Sequence, residues 1–134
     1  MINFETNIRV RYNETDRMGY LHHSYYAVYF EIARTEMLRN IGVSYRELEE
    51  KGILLPVYKL LIEYKKPAFY DDILTIRITM NKLPEVKLEL DYEIYKDKNL
   101  ICKANSINVF VSTITRKPVK IPENLYNLFL KYFT

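Results

Sequence analysis

Between Ser24 and Ile41 the chain has neither glycine nor proline, and Tyr26, Tyr29, Phe30, Ala33, Met37 and Ile41 recur at the spacing of one helix face. After that stretch the apolar period drops to two. Tyr58, Leu60, Ile62 and Tyr64 alternate with Lys59, Leu61, Glu63 and Lys65, and Leu74, Ile76, Ile78 and Met80 alternate with Thr75, Arg77 and Thr79. Val86, Leu88, Leu90, Tyr92 and Ile94 alternate with Lys87, Glu89, Asp91 and Glu93. Such alternation describes strands with one buried and one wet face. The simplest way to bury one helix stripe and several half-wet strands together is a curved antiparallel sheet wrapped around one long central helix. The predicted class is α+β, with the helix nearly enclosed.

The punctuation agrees. Ser24 is placed to cap the helix N-terminus and Gly42 to end it. Ser44 and Glu47 have capping-box spacing, which predicts a short helix ending near Gly52. Pro67 to Asp72, Asn81 to Glu85 and Asp97-Lys98-Asn99 interrupt the strands. A first short strand is expected over Asn7 to Tyr12, with Ile8, Val10 and Tyr12 on one face. The last strand is expected from about Leu100 to Thr115. It carries Ile107, Val109 and Val111 on one face and Phe110 and Ile114 on the other, so a subunit interface is expected to cover its second side. Pro118 and Pro122 then lead into a short helix from Glu123 to about Phe133.

No Gly/Ser/Pro-rich linker and no repeat divides the sequence, so residues 1–134 are expected to form one domain. A lone cysteine, Cys102, excludes an intrachain disulfide and favours a reducing, cytoplasmic setting. The first residues carry no secretory signal pattern, and no apolar run approaches the roughly 20 residues of a membrane span. The net charge of +3 is small and evenly spread, which argues against nucleic acid as a partner. The 13 tyrosines suit strands and half-buried surfaces.

Chemistry concentrates in the loop that leads into the helix, Tyr12-Asn13-Glu14-Thr15-Asp16-Arg17-Met18-Gly19-Tyr20-Leu21-His22-His23-Ser24. It sets a carboxylate, both histidines and a glycine just before a helix N-terminus. There, free amides and partial positive charge stabilise anions and polarise carbonyl oxygens. A carboxylate beside such a site can attack a carbonyl or deprotonate water while the amides hold the oxyanion. Ordinary helix capping would use the same residue types. His22-His23 lacks a partner set with ligand spacing, so no metal is expected. Glu31, three residues before Arg34, reads as an ion pair on a helix face, and Cys102 as a small buried hydrophobe. Lys65-Lys66 and Arg116-Lys117 flank strand ends and would suit either a phosphorylated ligand or solvated charge.

Tyr12-x-x-Thr15-Asp16-x-x-Gly19-x-x-x-His23-x-x-Tyr26, running into Phe30-Glu31-x-Ala33-Arg34, resembles the 4-hydroxybenzoyl-CoA thioesterase-like acyl-CoA thioesterases of the hotdog fold. Ile62-Glu63-Tyr64, Pro67-Ala68-x-Tyr70-Asp71-Asp72-x-Leu74 and Lys117-Pro118-x-x-Ile121-Pro122 are similar to later segments of that family. The resemblance implies hydrolysis of an acyl-CoA or acyl-carrier thioester without cofactor or metal. It implies Asp16 as nucleophile or general base, a carbonyl-polarising amide at His23, and site-lining roles for the His23 imidazole and the Tyr12 hydroxyl. Gly19, His22, Tyr26, Lys65, Arg116 and Lys117 are expected to contact substrate. The resemblance also implies homodimers or homotetramers with sites at subunit interfaces. The chain departs from the family at Glu14, where aspartate is usual, and at Arg17, Met18 and His22. The alternatives are a hotdog protein that binds an acyl thioester without cleaving it, and a hotdog hydratase or dehydratase.

Overall fold

The computed structural model describes residues 1–133. Its elements, in chain order, begin with β1 (Ile2–Arg9), a short 3-10 turn (Tyr12–Glu14), α1 (Ser24–Ile41) and α2 (Tyr45–Glu50). β2 (Ile53–Leu54), β3 (Val57–Tyr64), β4 (Ile73–Met80), β5 (Lys87–Lys96), β6 (Asn99–Val109), β7 (Val111–Ser112) and α3 (Glu123–Leu130) follow. Five strands form one antiparallel sheet in the order β1-β4-β5-β6-β3, while β2 and β7 pair as a separate ribbon.

Alternation settles which face is buried. Leu74, Ile76, Ile78 and Met80 of β4 and Leu88, Leu90, Tyr92 and Ile94 of β5 are all buried. They join Tyr26, Tyr29, Phe30, Ala33, Met37 and Ile41 of α1 in one core, with α1 against β1 and β4. Each buried Leu, Ile, Phe and Met among them contributes about 1.5–3 kcal/mol through apolar burial. The opposite face of α1 stays open, with Val28 and Ile32 exposed, so the helix is not enclosed by its own chain as the periodicity suggested.

Gly42 ends α1 at φ +111, with its N–H and that of Val43 donating to Leu38 C=O, the glycine-terminated helix end expected there. Ser44 Oγ accepts the Glu47 N–H at 3.1 Å and opens α2 as its spacing predicted. Ser24 does not cap α1. His22 does, its Nδ1 accepting the Ser24 N–H at 3.2 Å, because the chain already turns helically at His23.

Three strands differ from the sequence reading. β1 begins at Ile2 and ends before Tyr12, where the 3-10 turn takes over. β6 stops at Val109 and the chain leaves the sheet so that β7 can pair with β2. That turn brings Phe110 into the chain's own core, fully buried, so no second subunit is needed to cover it. Ile114 lies beyond β7 and is exposed. β3 is the edge strand beyond β6, and its Val57, Tyr58, Leu61 and Tyr64 are exposed. The register slips between Val57 and Lys59, leaving Tyr58 as the extra residue of a bulge.

Candidate active site

The lead-in loop folds back on itself as a small hairpin. Thr15 bridges to Leu21, Tyr20 bridges to Phe69, and the Leu21 N–H donates to Ala68 C=O at 2.7 Å. Inside this hairpin Asp16 Oδ1 accepts two backbone N–H groups, from Met18 at 2.8 Å and from Tyr20 at 3.1 Å. Its Oδ2 has no hydrogen-bond partner among the described residues. Gly19 takes φ +79, which lets the turn close. A Cβ there would meet nothing within 4 Å, so it is the backbone conformation and not crowding by neighbouring side chains that calls for glycine.

The loop delivers the chain to α1 at His22 and His23. Their rings stack at 4.2 Å between centroids. His22 Nδ1 faces the Ser24 N–H and hydroxyl, which places its proton on Nε2. The Tyr25 and Tyr26 N–H groups donate to the His22 and His23 carbonyls, whereas the His23 N–H donates to no described residue. A free amide thus points out of the positive end of an 18-residue helix. From the sheet side, the Tyr64 hydroxyl donates to His23 C=O at 3.3 Å and its ring packs against Tyr26.

Asp16, His23, Tyr26 and Lys65 line one open cleft of about 300 Å³. Tyr20, Leu21, Tyr64, Lys66 and Pro67 complete its wall. Burial pushes the buried Tyr26 phenol up to about 12, helped by Cys102 and Tyr64, so it stays a neutral hydroxyl at physiological pH. Burial raises Tyr64 as well. Lys65 and Lys66 add two cationic side chains to a wall that also holds Asp16, Tyr20, Tyr26 and Tyr64, and the Lys65 ammonium lies 3.4 Å from Glu63 Oε2.

Other expected site residues lie elsewhere. Tyr12 is 77% exposed and packs edge-on against Tyr70, since it falls on the 3-10 turn instead of a strand. His22 turns to the helix start, outside the cleft wall. Arg116 lines a different groove of about 420 Å³, with Val57, Tyr58 and Pro118 at the far end of β3. Lys117 is next to it, its carbonyl accepting the Ser112 N–H. The ion pair expected between Glu31 and Arg34 is absent. Glu31 is exposed, and the buried Arg34 donates to the Tyr92 hydroxyl at 3.0 Å. Among the described residues no group of three or more His, Cys, Asp or Glu side chains is placed to hold a metal ion, and no helix is long and apolar enough to cross a membrane.

The sequence reading missed one group. Glu14 is only 1% exposed and fully engaged. Oε1 accepts the Arg11 N–H at 2.9 Å and the Tyr29 hydroxyl at 2.5 Å, while Oε2 accepts Arg11 Nη2 at 2.9 Å and Nε at 3.2 Å. Burial alone would raise this carboxyl, but the bonds from Arg11 and Tyr29 hold it below its ordinary value. Its three-residue spacing from Arg11 was the available signal.

An antiparallel sheet with an 18-residue helix packed against it carries the cleft at that helix's start. The chain belongs to the thioesterase-like superfamily, whose sequence profile matches residues 10–129. Its relatives include the acyl-CoA thioester hydrolase YbgC of Escherichia coli O157:H7, 32% identical over 91% of this chain and 92% of that protein. Among solved structures, a DHNA-CoA thioesterase from Staphylococcus aureus superposes with a TM-score of 0.93 at 30% identity, covering 99% of this chain and 92% of the other. A hypothetical protein from Aquifex aeolicus gives 0.88 at 34% identity, covering 93% and 98%.

Proposed function

We propose that the protein hydrolyses acyl-CoA thioesters in the cleft at the start of α1, as a single catalytic domain over residues 1–134 whose sheet wraps around that helix. One observation carries the reading: Asp16, whose Oδ2 has no partner among the described residues, and His23, whose N–H has none among them either, line the same cleft. The thioester carbonyl oxygen rests against the His23 N–H, where the helix dipole stabilises the negative charge that develops on it. Asp16 then either attacks the carbonyl carbon, giving an acyl-enzyme that water cleaves, or takes a proton from a water that attacks instead. In both routes the C–S bond breaks, the thiol leaves with a proton, and water supplies the acid's new oxygen. The aromatic wall of Tyr20, Tyr26 and Tyr64 takes the acyl group, and Lys65 and Lys66 take phosphate charge at the mouth.

The bare edge of β3 supports a homodimer. If two β3 strands pair antiparallel about their midpoint between Leu60 and Leu61, Tyr64 of one copy faces Val57 of the other. That pairing would carry the groove holding Arg116, with Lys117 beside it, toward the neighbouring cleft and give both cations a place on substrate. The single buried thiol of Cys102 fits a reducing, cytoplasmic setting.

A panel from acetyl-CoA to palmitoyl-CoA with benzoyl-CoA, followed by a thiol reagent, tests the activity. At least one member is expected to be turned over by the wild type and to survive with Asp16→Asn. Wild-type turnover by Asp16→Asn overturns the assignment of Asp16, and an ester that binds yet stays intact for hours identifies a carrier instead.

A further inference from the structure

Glu14 is the single fully buried acid among the described residues, and the chemistry above leaves it unused. A carboxylate buried without partners is strongly disfavoured, so its surroundings must be built to hold it. They are: four donors, three from Arg11 and one from Tyr29, reach its two oxygens. The partners fall on both sides of the cleft loop. Arg11 lies upstream of the hairpin, Tyr29 projects from α1, and the backbone carbonyl of Glu14 accepts the His22 N–H at 2.8 Å, closing the hairpin where it meets the helix. Asp16 sits inside that closure and His23 immediately beyond it.

We propose that Glu14 is a positioning residue that fixes the Asp16 hairpin to α1 and so sets the carboxylate opposite the His23 N–H, an inference that rests on the thioesterase reading above. The Tyr29 hydroxyl is its link to the helix. Without that link the hairpin keeps its backbone bond at His22 and its pairing with Ala68 and Phe69, but loses the side-chain tie that sets its angle to the helix start. A displacement of about 1 Å between reacting groups costs on the order of 10²-fold in rate. Glu14→Gln keeps the size but turns an amide N–H₂ toward donors. Tyr29→Phe removes one bond and keeps the ring. Glu14→Asp keeps the charge, with one methylene less of reach.

The test is thiol release from the best acyl-CoA of the panel above, measured for Glu14→Gln, Tyr29→Phe and Glu14→Asp, alone and combined with Asp16→Asn. With Asp16 present, Glu14→Gln is expected to lower kcat on the order of 10²-fold at nearly constant KM. Tyr29→Phe should lower it less, and Glu14→Asp should recover part of the loss. With Asp16→Asn in place, the same changes should lower the residual rate no further, because a group that acts through Asp16 has nothing left to position. Equal factors in both backgrounds, or full kcat in Glu14→Gln and Tyr29→Phe, overturn the proposal. Where Glu14→Gln yields no folded protein, Tyr29→Phe carries the same comparison. Full activity in Asp16→Asn alone would sink the reading of the active site, a result separate from either of these.

Discussion

Asp16 and Tyr20 hold each other twice: the Asp16 N–H donates to Tyr20 C=O at 2.8 Å, and the Tyr20 N–H donates to Asp16 Oδ1 at 3.1 Å. Only one of the two carboxylate oxygens serves the loop. Asp16→Asn can present its amide oxygen to the same two N–H groups, so the hairpin should survive. The melting temperature is expected to stay within about 2 °C of wild type. Thiol release should fall on the order of 10²–10⁴-fold, the range of a lost acid–base or nucleophilic group. Parallel calorimetry and thiol assays check both halves.

Acid should act on Glu14. Its folded carboxyl titrates below the ordinary 4.5, so between the folded and unfolded values the unfolded chain binds more protons. The stability it contributes is therefore complete above about pH 4.5 and drains away as pH falls through the folded value. In urea titrations from about pH 6 to pH 3, wild type should lose midpoint more steeply than Glu14→Gln. Parallel lines for the two proteins would refute this.

Cys102 should be silent in the folded protein. It is fully buried in β6, paired with Tyr64, and burial pushes its thiol up to about 12, with the Glu63 charge adding to the shift. At pH 8 almost none is thiolate, the form that reacts. A disulfide reagent should titrate the single thiol only after denaturant is added, and rapid reaction with native protein would contradict the burial.

Arg34 is a buried cation with no carboxylate partner among the described residues: Nη1 reaches the Tyr92 hydroxyl, and Nε has no acceptor among them. Replacing such a charge by an apolar side chain of similar length is often neutral or stabilising. Arg34→Met is expected to cost less than about 1 kcal/mol in urea unfolding, or to stabilise. Tyr92 would keep its contact with Ser106 Oγ at 2.7 Å. A loss above about 3 kcal/mol would mean that the guanidinium is compensated after all.

Those two buried charges mark where sequence legibility ended. Periodicity exposed α1 and the buried faces of β4 and β5, because a stripe or an alternation is a local property of the chain. The caps at Gly42 and Ser44 were legible for the same reason. The departures at Phe110 and Tyr58 were hidden, since a strand that turns away or bulges keeps its composition. Asp16, His23, Tyr26 and Lys65 could be grouped because the loop and the strand end converge at the helix start. Arg116 could not be separated from them, as nothing in a sequence states which end of an edge strand a turn occupies. Arg34 looked like half of an ordinary surface ion pair and Glu14 received no role, because i,i+3 spacing names a partner without saying whether water is there too.

β3 runs between Pro56 and Pro67, has a bulge at Tyr58, and carries Lys59 and Glu63 on either side of Leu61 along its free margin. Prolines cannot donate to a ladder, and alternating charges oppose open-ended stacking, so these residues act as gatekeepers against fibril growth. Exchanging Lys59 and Glu63 for valine would leave eight consecutive uncharged strand formers from Val57 to Tyr64, a segment able to polymerise. The margin on which the proposed dimer rests is thereby kept from recruiting an endless series of neighbours.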